Sequence, residues 1–201
     1  MKKPIVEFIG TFWFALAFVM ASNLAGLPTS IIIGAAFATT ASVGGHFNPA
    51  TSLAQLMLGK MERFELPAHF LFQTLAAIAG ALVAAFLLRC GGAPEIAARS
   101  NEPICALVAE FFGTFAFVWA ILNAWTATTR QSMSHALFGG LALLVGHAIF
   151  NGLSGGFFNP ALAVGMAAAG TVAWGDLWIY LLGELLGAAA ATSIFQILNR
   201  A

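Results

Sequence analysis

The sequence predicts an all-α membrane protein in which six transmembrane helices and two half-length helices form an inverted repeat. Three observations carry that expectation. Hydrophobic residues make up 60% of the 201 residues, charged residues only 8%, and the mean hydropathy is +0.91, values that a water-soluble domain would not tolerate on its surface. Six stretches are long and apolar enough to cross a hydrocarbon core about 30 Å thick. The ten residues GGHFNPATSL (44–53) also return in closely similar form as GGFFNPALAV (155–164).

The elements follow in order. After Met1-Lys2-Lys3 the apolar run continues past twenty residues, too long for the apolar region of a signal peptide, so residues 4–26 read as a retained span. The turn Gly26-Leu27-Pro28 leads into a second span, rich in Gly, Ala and Thr, over 28–45. Residues 48–58 are apolar but too short to cross. Asn48 is a favoured helix N-cap and Pro49 is favoured at the first helical position, so a half-helix starts there. Spans are expected at 66–89, 104–127 and 133–152. Asn159 and Pro160 then open a second half-helix over 159–170, and a last span covers 175–198.

The halves correspond. VEFIGTFWFALAFVMA (6–21) is matched by VAEFFGTFAFVWAILNA (108–124), which pairs Glu7 with Glu110 and Gly10 with Gly113. Asn48 to Gln73 and Asn159 to Glu184 are both separations of 25 residues. The chain therefore reads as one domain, 1–201, built from diverged halves 1–92 and 103–201. Three spans per half is an odd number, so the second half is inverted relative to the first about an axis in the membrane plane. The half-helices then enter from opposite faces, and their first turns, Pro49-Ala50 and Pro160-Ala161, approach each other near the midplane.

Eight basic and eight acidic residues give no basic face for nucleic acid. Lys2, Lys3, Lys60, Arg63, Arg130 and Arg200 fall on one side of the six-span topology and only Arg89 and Arg99 on the other, which places both termini in the cytoplasm. Cys90 and Cys105 flank the loop that is then exterior. A disulfide across it stays open, with two unlinked thiols the expectation. Trp125, Trp174, Trp178 and Tyr180, near span ends, read as interface anchors, and His69 and His135 as structural hydrogen-bonders. The sequence has no Gly-rich phosphate loop, no Cys or His pair at metal spacing and no recognisable nucleophile with its base. Neither an enzyme nor a cofactor or metal site is expected.

Each motif asparagine offers an amide NH2, and each half-helix adds free N–H groups and the positive end of its dipole. Donors converging from both sides would orient a solute oxygen and repel cations, so the expected activity is passive conduction of a small neutral solute. Inverted repeats with broken helices also build ion-coupled transporters. Coupling would need titratable groups near the midplane, whereas Glu7, Glu110 and Glu184 sit near span ends or read as braces.

The sequence resembles the aquaporin and glycerol-facilitator family, the major intrinsic proteins, over nearly its whole length. The resemblance rests on GGHFNPA (44–50), FFNPA (157–161), the Glu-x-x-Gly-Thr-Phe segments at Glu7 and Glu110, and Gly146-His147. It implies a channel with Asn48 and Asn159 as paired pore donors, Glu7 and Glu110 bracing the half-helix loops, and a homotetramer with one pore per subunit. It also implies a narrow filter that takes in His147 and Gly156, with Leu162 standing where the family usually carries Arg. The helix 2 member of that filter is not placed: ungapped counting lands near Pro28, and a gap makes Ile33 or Phe37 the candidate. His46 is expected to hold its loop, with its carbonyl a candidate pore liner, and Phe157-Phe158 to narrow the opening. Without a guanidinium the filter loses donors and a fixed charge. Water, glycerol, urea, ammonia, hydrogen peroxide or an uncharged metalloid hydroxide are then all candidate solutes. The expected setting is the lipid bilayer of a bacterial inner membrane.

Overall fold

The computed structural model describes residues 2–24, 27–93, 102–126 and 131–199. Among the described residues, eight α-helices run in the order α1 (Lys2–Ser22), α2 (Leu27–Ala41), α3 (Pro49–Met57), α4 (Leu66–Cys90), α5 (Pro103–Thr126), α6 (Gln131–Ser154), α7 (Pro160–Ala168) and α8 (Leu177–Leu198), with a short 3-10 turn, Trp174–Asp176, before α8. Five of them are long and apolar enough to span a membrane. At 1.5 Å per residue the nine-residue α3 and α7 reach only about 14 Å, roughly half a bilayer core.

The second helix differs from expectation. It has 15 residues, about 22 Å, and stops at Ala41 rather than near residue 45. The Oγ1 atoms of Thr39 and Thr40 donate back to the carbonyls of Ala35 and Ala36, and Ser42 Oγ donates to Thr39 O. Hydroxyls used this way compete with continued helix. Gly44 then turns the chain with φ +84, a left-handed conformation that costs glycine nothing. Gly26, Arg99, Arg130 and Arg200 of the predicted turn and charge pattern lie outside the described residues.

The helices expose large apolar side chains on their outer faces, while the inner faces combine small and polar residues with buried phenylalanines. On α1, Ile5, Ile9 and Trp13 are exposed while Glu7, Thr11, Phe14, Ala15 and Phe18 are buried. On α4, Leu71, Leu75, Leu82 and Phe86 face out and Gln73, Ala77, Gly80, Ala81 and Ala84 face in. Small residues let helix backbones approach closely. A close contact between halves is Gly34 of α2 against Gly140 of α6, where a Cβ added to either glycine would lie 2.5 Å from the other's carbonyl oxygen. The half-helices also cross between halves, α7 packing on α4 and α3 on α8. Gln196 Nε2 ties α8 to the end of α3 by donating to Met57 O at 2.8 Å.

Cys90 and Cys105 are both free and exposed. Of the expected interface anchors, Trp174 and Trp178 are exposed, but Tyr180 is buried. Its ring stacks on Phe157 and its hydroxyl donates to Ser154 O at 3.1 Å, so it fastens a loop instead.

Candidate functional site

The site is built from two loops that lead into α3 and α7. In each, a non-glycine residue sits in the left-handed region: Phe47 with φ 54 and Phe158 with φ 49. That conformation costs roughly 1–2 kcal/mol for a residue with a Cβ, so neighbouring contacts must hold it. Part of the hold comes from the rings. A Cβ on Gly10 would fall 2.2 Å from the Phe47 ring, and one on Gly113 would overlap the Phe158 ring. Each aromatic fills the space its paired glycine leaves on α1 or α5.

The rest comes from carboxylates. Glu7 Oε1 and Oε2 accept the N–H groups of His46 and Phe47, both at 2.7 Å, and Oε2 also accepts Gln73 Nε2 at 2.8 Å. Glu110 does the same in the second half, accepting Phe157 N at 3.0 Å and Phe158 N at 2.7 Å. Glu184 Oε1, at the position matching Gln73, accepts Asn159 N at 2.9 Å. All three carboxylates are buried. Loop backbone that would otherwise be orphaned inside an apolar bundle therefore has strong acceptors.

Asn48 and Asn159 cap the half-helices. Asn48 Oδ1 accepts Ala50 N at 2.8 Å, and Asn159 Oδ1 accepts Ala161 N at 3.1 Å and Leu162 N at 3.4 Å. Pro49, Ala50, Pro160 and Ala161 form buried first turns behind them. The amide nitrogens reach across the seam: Asn48 Nδ2 donates to Phe158 O at 2.8 Å and Asn159 Nδ2 to Phe47 O at 3.0 Å. Two helix N-termini thus face each other, each loop fixed by the other's cap.

The remaining residues named from sequence are all placed. His46 is half-buried, with Nδ1 3.0 Å from Ser52 Oγ and its ring stacked on His69. Phe158 turns its ring to Gly113, Gly146 and Phe150 and offers its carbonyl to Asn48. Leu162 is fully buried in the core. His147 is buried beside Gly156, where a Cβ would lie 3.2 Å from the His147 ring.

Ser30 of α2 has its Oγ 2.9 Å from His147 Nδ1. Sequence reasoning missed this residue because the α2 register floated. Ile33 and Phe37, the gapped candidates, are buried, with Phe37 packed edge-on against Phe14 and Phe117. Gln73 and Ser52 were also unassigned, although the matched 25-residue spacing marked Gln73, while Glu184 reads from sequence as a span-end residue or a brace.

Comparison with known proteins gives the family and the fold. Residues 1–195 match the family model described as major intrinsic protein. The chain belongs to the major intrinsic protein family. It is 30% identical over 219 aligned positions to glycerol uptake facilitator protein-like 6 of Lactiplantibacillus plantarum, covering 99% of both chains. It is 28% identical to probable aquaporin PIP-type pTOM75 of Solanum lycopersicum, covering all of this chain and 80% of that one. Against probable aquaporin PIP2-8 of Oryza sativa subsp. japonica it is 34% identical over 77% of this chain, which spans 61% of that protein's length. An aquaglyceroporin from Plasmodium falciparum superposes with a TM-score of 0.84 at 21% identity, covering 96% of this chain and 94% of that one, so the fold is that of this family member.

Proposed function

We propose that the protein is a passive membrane channel for water and small neutral solutes. The observation that carries this reading is the reciprocal seam, in which two half-helix N-termini and two asparagine amides converge. An amide nitrogen has two hydrogens. One on each asparagine is committed to the opposite loop, and the other is the donor we assign to a passing solute oxygen. Two donors and two dipole ends pointing at one place disfavour a cation there. No coupling chemistry is needed, because Glu7, Glu110 and Glu184 each accept loop N–H groups as braces.

The constriction is assigned to Ser30, His147, Gly156 and Leu162. A serine on α2 and a leucine in place of the family's usual arginine make it less charged than a filter built for water alone. This favours solutes of glycerol size, and the likeness to a facilitator-type relative supports the same reading. The channel is proposed to work as a homotetramer, on family resemblance, in a bacterial inner membrane. Both termini are placed in the cytoplasm. The Lys3–Glu65 ion pair of 3.0 Å supports putting the start of α1 and the loop before α4 on one side.

Light-scattering of proteoliposomes under an osmotic gradient tests this. Water and glycerol should move without any ion or pH gradient, and dependence on sodium or on ΔpH would sink the channel reading. Leu162→Arg should lower the glycerol-to-water permeability ratio by about tenfold, the scale of a lost or gained filter contact. An unchanged ratio would place the filter elsewhere.

A further inference from the structure

Beside the first loop, and outside the seam, lies a cavity of about 240 Å³ whose wall includes Lys3, Glu7, His46, Lys60, Glu65 and His69. Among the described residues, Glu7, His46 and His69 each offer a ligand atom, all within 4.8 Å of one another. We propose that these three side chains form a binding site for a first-row divalent metal ion of the zinc type at the mouth of the conduit.

The preparation of His69 is the central point. Its Nδ1 lies 3.0 Å from Glu65 O, and because a carbonyl only accepts, Nδ1 carries a hydrogen, which leaves Nε2 as the ring's ligand atom for a metal. This is the arrangement found behind metal-bound histidines, where a second partner fixes tautomer and ring orientation. Nε2 faces Glu7 Oε1 at 3.7 Å, too far for a hydrogen bond and close to the roughly 3.4 Å between two ligands held about 2.0–2.1 Å from a tetrahedral ion. The imidazole of His46, stacked 5.3 Å from His69, completes the set by a small rotation. Ser52 Oγ lies 3.0 Å from its Nδ1, a second partner that orients the ring.

Two further observations favour a ligand over packing. Glu7 is already engaged by two backbone N–H groups, so it is held in place before any ion arrives. In the other half the same stack is made by Phe157 and Tyr180, with centroids 5.1 Å apart at 29° against 29° for the histidines. Stacking there does not require imidazoles. Charge does not forbid a cation either, since the wall's two lysines are offset by Glu7 and Glu65.

Two histidines and one carboxylate with a fourth position open suit Zn2+, and by ligand type also Co2+, Ni2+ and Cu2+, better than the oxygen-seeking Mg2+ or Ca2+. Bound there, the ion joins α1, the loop ending in Asn48, and α4, and it fills the mouth on that side. Conduction should then fall. That consequence rests on the channel reading, whereas binding itself does not.

The experiment uses purified, untagged protein carrying Cys90→Ser and Cys105→Ser, so that exposed thiols are not ligands. Zn2+ titrated by calorimetry should bind once per subunit, and Co2+ should give the visible absorption of a tetrahedral site. His69→Asn should weaken both at least about tenfold, the usual cost of losing a shell residue. In proteoliposomes Zn2+ should block water flux reversibly with a chelator, and the same variant should keep its basal flux and lose the block. Absence of Zn2+ binding overturns the proposal and leaves a plain His69–Glu7 contact. So does binding untouched by His69→Asn, or equal competition by Mg2+ or Ca2+. Binding without flux block keeps the site and removes only its effect on conduction.

Discussion

His46 and Phe157 both stand two residues before a motif asparagine, and His69 and Tyr180 both stand twenty-one after it. The two pairs stack in nearly the same geometry, but their surroundings are opposite. The first loop borders a polar cavity with two lysines and two carboxylates. In the second, residues 155–163 are buried without a break. The backbone problem is the same in both places: a left-handed phenylalanine and two inward N–H groups that need an acceptor. What differs is the means of tolerating polarity, with nearby space for water at the first loop and buried carboxylates accepting the N–H groups of Phe157, Phe158 and Asn159 at the second. Symmetry of fold does not impose symmetry of solvation.

The largest test of that difference is removal of the braces. Glu110→Ala leaves the N–H groups of Phe157 and Phe158 buried without acceptors, at about 1–3 kcal/mol each. Glu7→Ala exposes the equivalent groups next to a cavity large enough for ordered water. Thermal unfolding in detergent should therefore show a clearly greater loss for Glu110→Ala, and equal losses would mean the cavity does not relieve the first loop.

A middle-sized test exchanges the rings. Phe157→His keeps the stack on Tyr180 but buries a ring N–H with no partner, for a loss of about 1–3 kcal/mol. His46→Phe should cost less than about 1 kcal/mol, because Ser52 Oγ keeps Gln73 Nε2 as a partner at 3.1 Å. A reversed order in the two unfolding midpoints would count against the contrast in solvation.

The smallest effect belongs to the ion pair at the cavity rim. The hydrogen bond from Lys3 holds the Glu65 carboxyl below its usual range. A depressed carboxylate contributes stability above its unfolded pKa and loses it as pH falls through the folded one. The contribution should fade on the acid side of the ordinary glutamate range. Because the pair is largely solvated, it amounts to at most about 0.5 kcal/mol. Lys3→Ala should shift the unfolding midpoint slightly at neutral pH and low salt, and not at all in strong acid.

Much of this was legible in the sequence because it is local or repeated. Asn-Pro at a cap, the Glu-x-x-Gly spacing on two helices and the matched 25-residue separations are short-range signals, and each half corroborates the other. The helix boundaries fell within four residues, the largest differences being the ends of α1 at Ser22 and α2 at Ala41, the latter where Thr and Ser hydroxyls bond back to the helix. Ser30 was missed because it meets His147 from 117 residues away. The Glu7–His46–His69 cluster was invisible for the same reason, since no spacing rule joins positions 7, 46 and 69. Tyr180 looked like an anchor because it stands near Trp178, and only the turn of the helix puts the tryptophan outside and the tyrosine inside.

The crossed asparagine bonds make each loop's backbone depend on a residue from the other half. In an oligomer such a contact, with the same patch given and received on both sides, would be a two-fold interface between identical subunits. Here it lies within a single polypeptide. Neither half can therefore satisfy its own motif carbonyl, and two separately made fragments divided between positions 93 and 102 should each remain incomplete until they meet in opposite orientations. The contacts that would bring them together are the seam and the inter-half packing of α2 on α6, α7 on α4 and α3 on α8.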